Sequence, residues 1–155
     1  MQIGDSLPQL SLPATSGRTI DLSQLKGQVI VLYFYPRDDT PGCTQEGQEF
    51  RDLYPDFLQH QIRLFGVSRD TVKKHEQFRV KYDFPFDLIS DEQELLCQHF
   101  KVIKPKNMFG KMVTGIERST FLFDREGILR QEWRKVKVPE HAKIVLEAAK
   151  NIAAS

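Results

Sequence analysis

The sequence is poor in cysteine, with only Cys43 and Cys97, and has one tryptophan and three methionines. Two thiols cannot build a disulfide framework, and in a reducing compartment a conspicuous cysteine is more often catalytic or redox-active. No apolar run approaches the ~20 residues that a membrane-spanning helix needs, and Met1-Gln2-Ile3-Gly4-Asp5 has neither the basic nor the apolar region of a leader. The expectation is a soluble, cytoplasmic protein. An excess of one charge is lacking as well: 22 Lys and Arg stand against 21 Asp and Glu, so nothing electrostatic points to nucleic acid or a membrane surface as partner. There is no glycine-rich phosphate loop, internal repeat or low-complexity tract. The histidines, His60, His75, His99 and His141, are scattered and neither cysteine stands at ligand spacing, so no metal site and no other cofactor is expected.

What is there fits one domain spanning residues 1–155, 40% hydrophobic and 28% charged. Leu10 to Pro13 and Thr19 to Leu22 alternate around Ser16-Gly17-Arg18 and read as a short hairpin. Val29 to Tyr35 is an unbroken β-branched and aromatic run, the pattern of a strand buried on both faces. From about Gly42 to Leu58, Phe50, Leu53, Tyr54 and Phe57 recur at helical spacing. Ile62 to Ser68 reads as a second buried strand, and Asp70 as the N-cap of a helix to about Tyr82 that turns Val72, His75 and Phe78 inward. Phe84 to Ile89 reads as a short strand, Asp91 as the cap of a helix through about Phe100, and Val102 to Gly110 as a loop. Arg118 to Asp124 and Ile128 to Arg134 pair across Arg125-Glu126-Gly127 as a hairpin, and a last amphipathic helix runs from about Pro139 to Ile152. Strands alternating with helices, then a hairpin and a closing helix, give a three-layer α/β domain with a mixed central sheet.

The chain is organised around Tyr35 to Glu46, where the first core strand turns into a helix and places Cys43 in the first helical turn. Unpaired N–H groups and the helix dipole stabilise an anion there, which is one way a protein makes a thiolate at neutral pH. Pro36 and Pro41 stiffen the turn. In open α/β sheets, reactive groups gather at the carboxyl ends of central strands, where this turn falls.

Pro36, Thr40 and Cys43 match Pro-x-x-x-Thr-x-x-Cys, and the stretch resembles the signature of the peroxiredoxins. The flanks Phe34-Tyr35-Pro36, Thr40-Pro41-Gly42-Cys43-Thr44 and Glu46, with Gly4-Asp5 and Gly115 to Phe121 far along the chain, are similar to the bacterioferritin comigratory protein or PrxQ subgroup. The resemblance implies a thioredoxin-like α/β/α fold of the AhpC/TSA type with an N-terminal hairpin extension. It implies a thiol-dependent peroxidase that reduces hydrogen peroxide and organic hydroperoxides, drawing electrons from thioredoxin, glutaredoxin or a low-molecular-weight thiol, and it leans towards a monomer.

A peroxide O–O bond is weak, and a thiolate attacks one oxygen to become a sulfenic acid while the other departs as water or alcohol. The site must hold the thiolate, align the peroxide and stabilise charge on the leaving oxygen. Thr40 can hydrogen-bond the sulfur and an incoming peroxide, and Pro36, lacking an N–H, can wall the pocket from water. A permanent cation is needed, and a guanidinium suits because it does not deprotonate. The resemblance assigns that part to Arg118 and implies that Glu46 holds it in place; should another residue supply the charge, Arg37 is the next candidate. Each residue alone also has a plain reading: Thr40 as a turn residue, Pro36 as a loop proline, Arg118 as a surface cation, Glu46 as a first-turn acid.

Other functions on this pattern are weaker. A disulfide exchanger needs a second cysteine where Thr40 stands, while a non-enzymatic peroxide sensor or thiol-redox binding module on the same fold stays open. Relatives in the subgroup carry a resolving cysteine where Gln48 stands here, or at the place aligned with Arg79. Only Cys97 is left for that part, and among Leu95, Leu96 and Phe100 it reads first as a small apolar packing residue. A one-cysteine mechanism follows.

Overall fold

The computed structural model describes residues 1–155. β1 (Ser11–Pro13) and β2 (Thr19–Asp21) form the expected hairpin, in antiparallel register Leu12↔Ile20, and a short 3-10 turn covers Leu22–Gln24. β3 (Val29–Phe34) is buried along its whole length and runs through residues 35–40, the active loop, into α1 (Pro41–Gln59). β4 (Ile62–Ser68), α2 (Val72–Tyr82), β5 (Asp87–Ser90) and α3 (Leu95–His99) follow. Then come β6 (Ile103–Met108), β7 (Lys111–Ile116), β8 (Ser119–Phe123), β9 (Leu129–Arg134) and α4 (His141–Ala153).

The central sheet has the order β5-β4-β3-β8-β9. β3, β4 and β5 are parallel, and β8 and β9 run antiparallel to them, so the sheet is mixed as expected. Side chains of β3 alternate between two cores. Val29, Val31, Tyr33 and Tyr35 meet Phe50 and Phe57 of α1, Phe78 of α2, and Val145 and Leu146 of α4. Ile30, Leu32 and Phe34 meet Leu12, Ile20, Leu96 and Phe100 on the other face. The second outer layer is thus built from the N-terminal hairpin and one short helix, a thinner cover than three helices provide.

Three expectations are corrected. Val102 to Gly110 is not a loop: Ile103–Met108 pairs with Lys111–Ile116 around Phe109-Gly110. The pairing escapes a pattern search because most residues of both strands are exposed on both faces, so no apolar alternation marks them. The N-cap of α2 is Thr71, whose Oγ1 accepts the Lys74 N–H at 3.2 Å; Asp70 instead accepts from the Asp38 N–H and the Ser68 hydroxyl. The helix after Asp91 begins only at Leu95, although the Asp91 carboxylate still accepts the N–H groups of Leu96 (3.2 Å) and Cys97 (2.7 Å) from outside it.

Candidate active site

At the end of β3 the chain turns through Pro36 to Thr40 and enters α1 with Pro41 in the first turn, where a missing N–H costs nothing. The Thr40 carbonyl accepts the first helical bond, from Thr44 at 2.8 Å. The Gly42 and Cys43 N–H groups therefore have no carbonyl four residues back within the helix. Thr40 occupies the N-cap position without capping them by its side chain; its hydroxyl donates to the Arg37 carbonyl at 3.0 Å. That departs from the expected hydrogen bond to the sulfur, because the hydroxyl has one proton and the turn consumes it. Its oxygen keeps lone pairs that can accept from a peroxide O–H.

Cys43 is 2% exposed and sits against the aromatic bed of Tyr33 and Phe50, whose rings stack at 4.6 Å. Arg118 arrives from the opposite side. β8 pairs with β3 in the register Phe34↔Ser119, which sets the residue before Ser119 beside the start of α1. One guanidinium nitrogen, Nη2, donates to Cys43 Sγ at 3.5 Å, and the other, Nη1, to Glu46 Oε1 at 2.6 Å. Gly42 leaves the space: a Cβ there would lie 3.1 Å from Arg118 Nη2. The structure thus brings Cys43, Arg118 and Glu46 together as the resemblance implies.

Glu46 is buried, and its second oxygen, Oε2, has no partner. Desolvation of that oxygen outweighs the pull of Arg118 and raises the carboxyl from 4.5 to about 7. Near Arg118, His141 is lowered to about 4, by burial first and the guanidinium second, so its imidazole is neutral and adds no cation. Pro36 is half-buried at the strand end. Arg37, the reserve cation, is exposed and makes no ion pair. Cys97 is fully buried, and burial, with Asp91 beside it, drives its thiol pKa far up.

One arrangement escaped the sequence reading. Asp38, in the active loop, meets His75 of α2, Oδ2 to Nδ1 at 2.6 Å, and accepts the Tyr35 hydroxyl on Oδ1 at 2.6 Å. The other nitrogen, His75 Nε2, faces the Ile89 carbonyl at 2.9 Å. A carbonyl only accepts, so Nε2 carries a proton, and the short Nδ1 contact needs a second one. One proton shared across this contact joins the two side chains and fastens the loop to α2 and β5. Asp70 joins them, with donor atoms of the three within 4.8 Å. The only signal in the sequence is the inward position of His75 one turn before Phe78.

Comparison with known proteins gives the family. The AhpC/TSA family matches residues 3–132. The chain is 52% identical over 141 residues to peroxiredoxin Bcp of Xanthomonas campestris, covering 91% of this chain and 88% of that one. It is 46% identical over 153 residues to peroxiredoxin Bcp of Bacillus subtilis, covering 99% and 98%. Among solved structures, the bacterioferritin comigratory protein of Xanthomonas campestris, trapped in intermediate and ligand complexes that bear on its alkyl peroxide reduction activity, superposes with a TM-score of 0.90. It shares 49% identity over 96% of this chain and 99% of that one. The fold is accordingly thioredoxin-like. On these matches the chain belongs to the AhpC/TSA family, within its Bcp/PrxQ peroxiredoxins, and its activity is that of a thiol-dependent peroxidase.

Proposed function

We propose that Cys43 is the nucleophile that reduces hydrogen peroxide and organic hydroperoxides, in one domain spanning residues 1–155. The observation that carries this reading is the Arg118 guanidinium placed between Cys43 Sγ and Glu46. It supplies positive charge to the sulfur and, being fixed by Glu46, keeps a nitrogen directed at the place where the peroxide binds. The Cys43 sulfur attacks one peroxide oxygen in line with the O–O bond. Sulfur loses two electrons and becomes sulfenic acid, and the other oxygen takes a proton and leaves as water or alcohol. The Gly42 and Cys43 N–H groups and Arg118 stabilise the oxygen that gains charge, the Thr40 oxygen accepts from the peroxide O–H, and Pro36 shields the sulfur from water.

Turnover proceeds by a one-cysteine mechanism, in a cytoplasmic monomer, with thioredoxin, glutaredoxin or a low-molecular-weight thiol as the source of electrons. Support comes from Cys97, which is buried against Leu96 and Phe100 and has its N–H engaged by Asp91. The test is mass spectrometry after one equivalent of peroxide, together with Cys43→Ser. Wild type should gain one oxygen on Cys43 and Cys43→Ser should lose all peroxide turnover while keeping its fold. Turnover above a few per cent in that variant would overturn the reading.

A further inference from the structure

β3 and β4 end side by side, in register Phe34↔Val67, and the chain leaves them as Tyr35-Pro36-Arg37 and Arg69-Asp70-Thr71. Between these segments and α2 opens a cavity of about 390 Å³, lined by Pro36, Arg37, Arg69, Asp70, Thr71 and Lys74. Apart from the Pro36 ring its walls are polar or charged. Three of the six lining side chains are cations and one is a carboxylate. The carboxylate is already occupied, since Asp70 Oδ2 accepts from the Asp38 N–H at 2.9 Å and the Ser68 hydroxyl at 2.6 Å. Arg69 is also engaged, with Nη1 on Glu94 at 2.8 Å. Arg37 and Lys74 pair with no carboxylate; Asp70 is held only by neutral donors and keeps its charge, so the two cations outnumber it and leave the cavity with a net positive charge.

Position gives this charge a use. On the other flank of β3, Phe34 pairs with Ser119, so Arg118 and Cys43 stand on the β8 side of the strand end and the cavity on the β4 side, with the Pro36 turn between them. Strands lie about 4.8 Å apart, so β8, which leads out of Arg118, and β4, which leads into the cavity, end about two strand spacings apart, a span that a small extended molecule covers. A concave basic site concentrates anions and fixes a carboxylate through charge-assisted hydrogen bonds.

We propose that this cavity is a carboxylate subsite of the active site: it seats the carboxylate of a small acidic molecule whose other end, a thiol or a hydroperoxide, reaches Cys43. The inference rests on Cys43 being the peroxidatic residue and adds what that reading leaves open, the chemical class of the molecule that reacts there. For an acidic thiol the step is balanced as follows. Its thiolate attacks the Cys43 sulfenic sulfur, the S–O bond breaks, the oxygen leaves with protons as water, and a mixed disulfide forms; a second thiol then releases Cys43 and the disulfide of the small molecule.

Stopped-flow kinetics on the full chain separates the cases. The variant is Arg37→Gln/Lys74→Gln, which removes the two unpaired cations and leaves Cys43, Arg118, Glu46 and Thr40 in place. Hydrogen peroxide has no carboxylate, so its reaction with Cys43 should stay within twofold of wild type. Reduction of the sulfenate is then followed with glutathione and with glutathione diethyl ester, and oxidation with linoleic acid hydroperoxide and its methyl ester. The variant should slow by about tenfold with at least one of the acids and not with its ester. Loss with glutathione assigns the subsite to the reductant, and loss with the fatty acid hydroperoxide assigns it to the peroxide. Equal treatment of acid and ester by the variant in both pairs would overturn the proposal. So would a variant that also loses the hydrogen peroxide step, since the two cations would then serve Cys43 itself. In wild type alone, 0.5 M salt should slow the favoured acid and leave its ester unchanged, a comparison independent of whether the variant folds. Failure of wild type to react with hydrogen peroxide at Cys43 would instead sink the peroxidase reading beneath it.

Discussion

Cys43 and Cys97, the two thiols of the chain, lie on opposite faces of the central sheet. Cys43 packs with Tyr33 and Phe50, and Cys97 with Phe34, Leu96 and Phe100, so the β3 backbone separates them. A disulfide needs Cα atoms within about 7 Å. Bringing Cys97 to Cys43 would require α3 to leave its core and expose several large apolar side chains, each worth about 1.5–3 kcal/mol. Cys97→Ser should therefore keep most of its activity with a small thiol as reductant, and non-reducing peptide mapping of oxidised wild type should find no Cys43–Cys97 bridge. That bridge in high yield would make the protein a two-cysteine enzyme.

Arg118→Ala removes the cation 3.5 Å from the sulfur and also leaves the Glu46 carboxylate buried without a partner. Alkylation of Cys43 at neutral pH and oxidation by hydrogen peroxide should both slow, the latter by roughly 100-fold or more, as for loss of one oxyanion donor. Arg118→Lys should rescue only in part, because one ammonium cannot reach both Glu46 and the sulfur with a planar fork. Unchanged alkylation and oxidation rates in Arg118→Ala would assign the cation to another residue.

Glu46 sets a pH dependence of stability. Its carboxyl is raised from 4.5 to about 7 in the folded chain, so between those values the native state holds a proton that the unfolded state has released. Stability then falls as pH rises through this window, by up to about 3 kcal/mol if the whole shift is realised. Glu46→Gln has no such proton, so its urea midpoint should gain on wild type from pH 4.5 to 7, while its peroxide rate drops because a neutral amide holds Arg118 less firmly. Parallel stability profiles for the two proteins would show that Glu46 titrates normally.

The buried Asp38–His75 pair fastens the loop that carries Pro36 and Thr40. Removing His75 leaves the buried Asp38 Oδ2 without its partner, so His75→Ala should cost about 1–3 kcal/mol in urea unfolding. The released loop should also slow Cys43 oxidation in protein that is still folded, because Thr40 and the start of α1 lose their anchor to α2. A folded His75→Ala protein with wild-type kinetics would confine the pair to stability.

Local chemistry made much of this legible in the chain. The apolar run of β3 and the helical spacing after it locate the strand-to-helix turn, and the turn locates Cys43, because burial pattern and backbone preference act over a few residues. The motif at Pro36, Thr40 and Cys43 then implies the reaction and, through resemblance, Arg118. Contacts between distant segments were decided only in the folded chain. Arg118 reaches Glu46 and Cys43 across 72 and 75 residues, Asp38 meets His75 across 37, and β6 pairs with β7 without an apolar face to announce it. Thr40 turned its proton to Arg37, Asp70 gave up its cap to bind the active loop, and Cys97 fell on the far side of the sheet. Thr40 and its turn were settled within the loop itself, by which carbonyl its one proton reaches; the distant contacts follow from which strands pair and which face a side chain takes, and a single residue of register reverses the face.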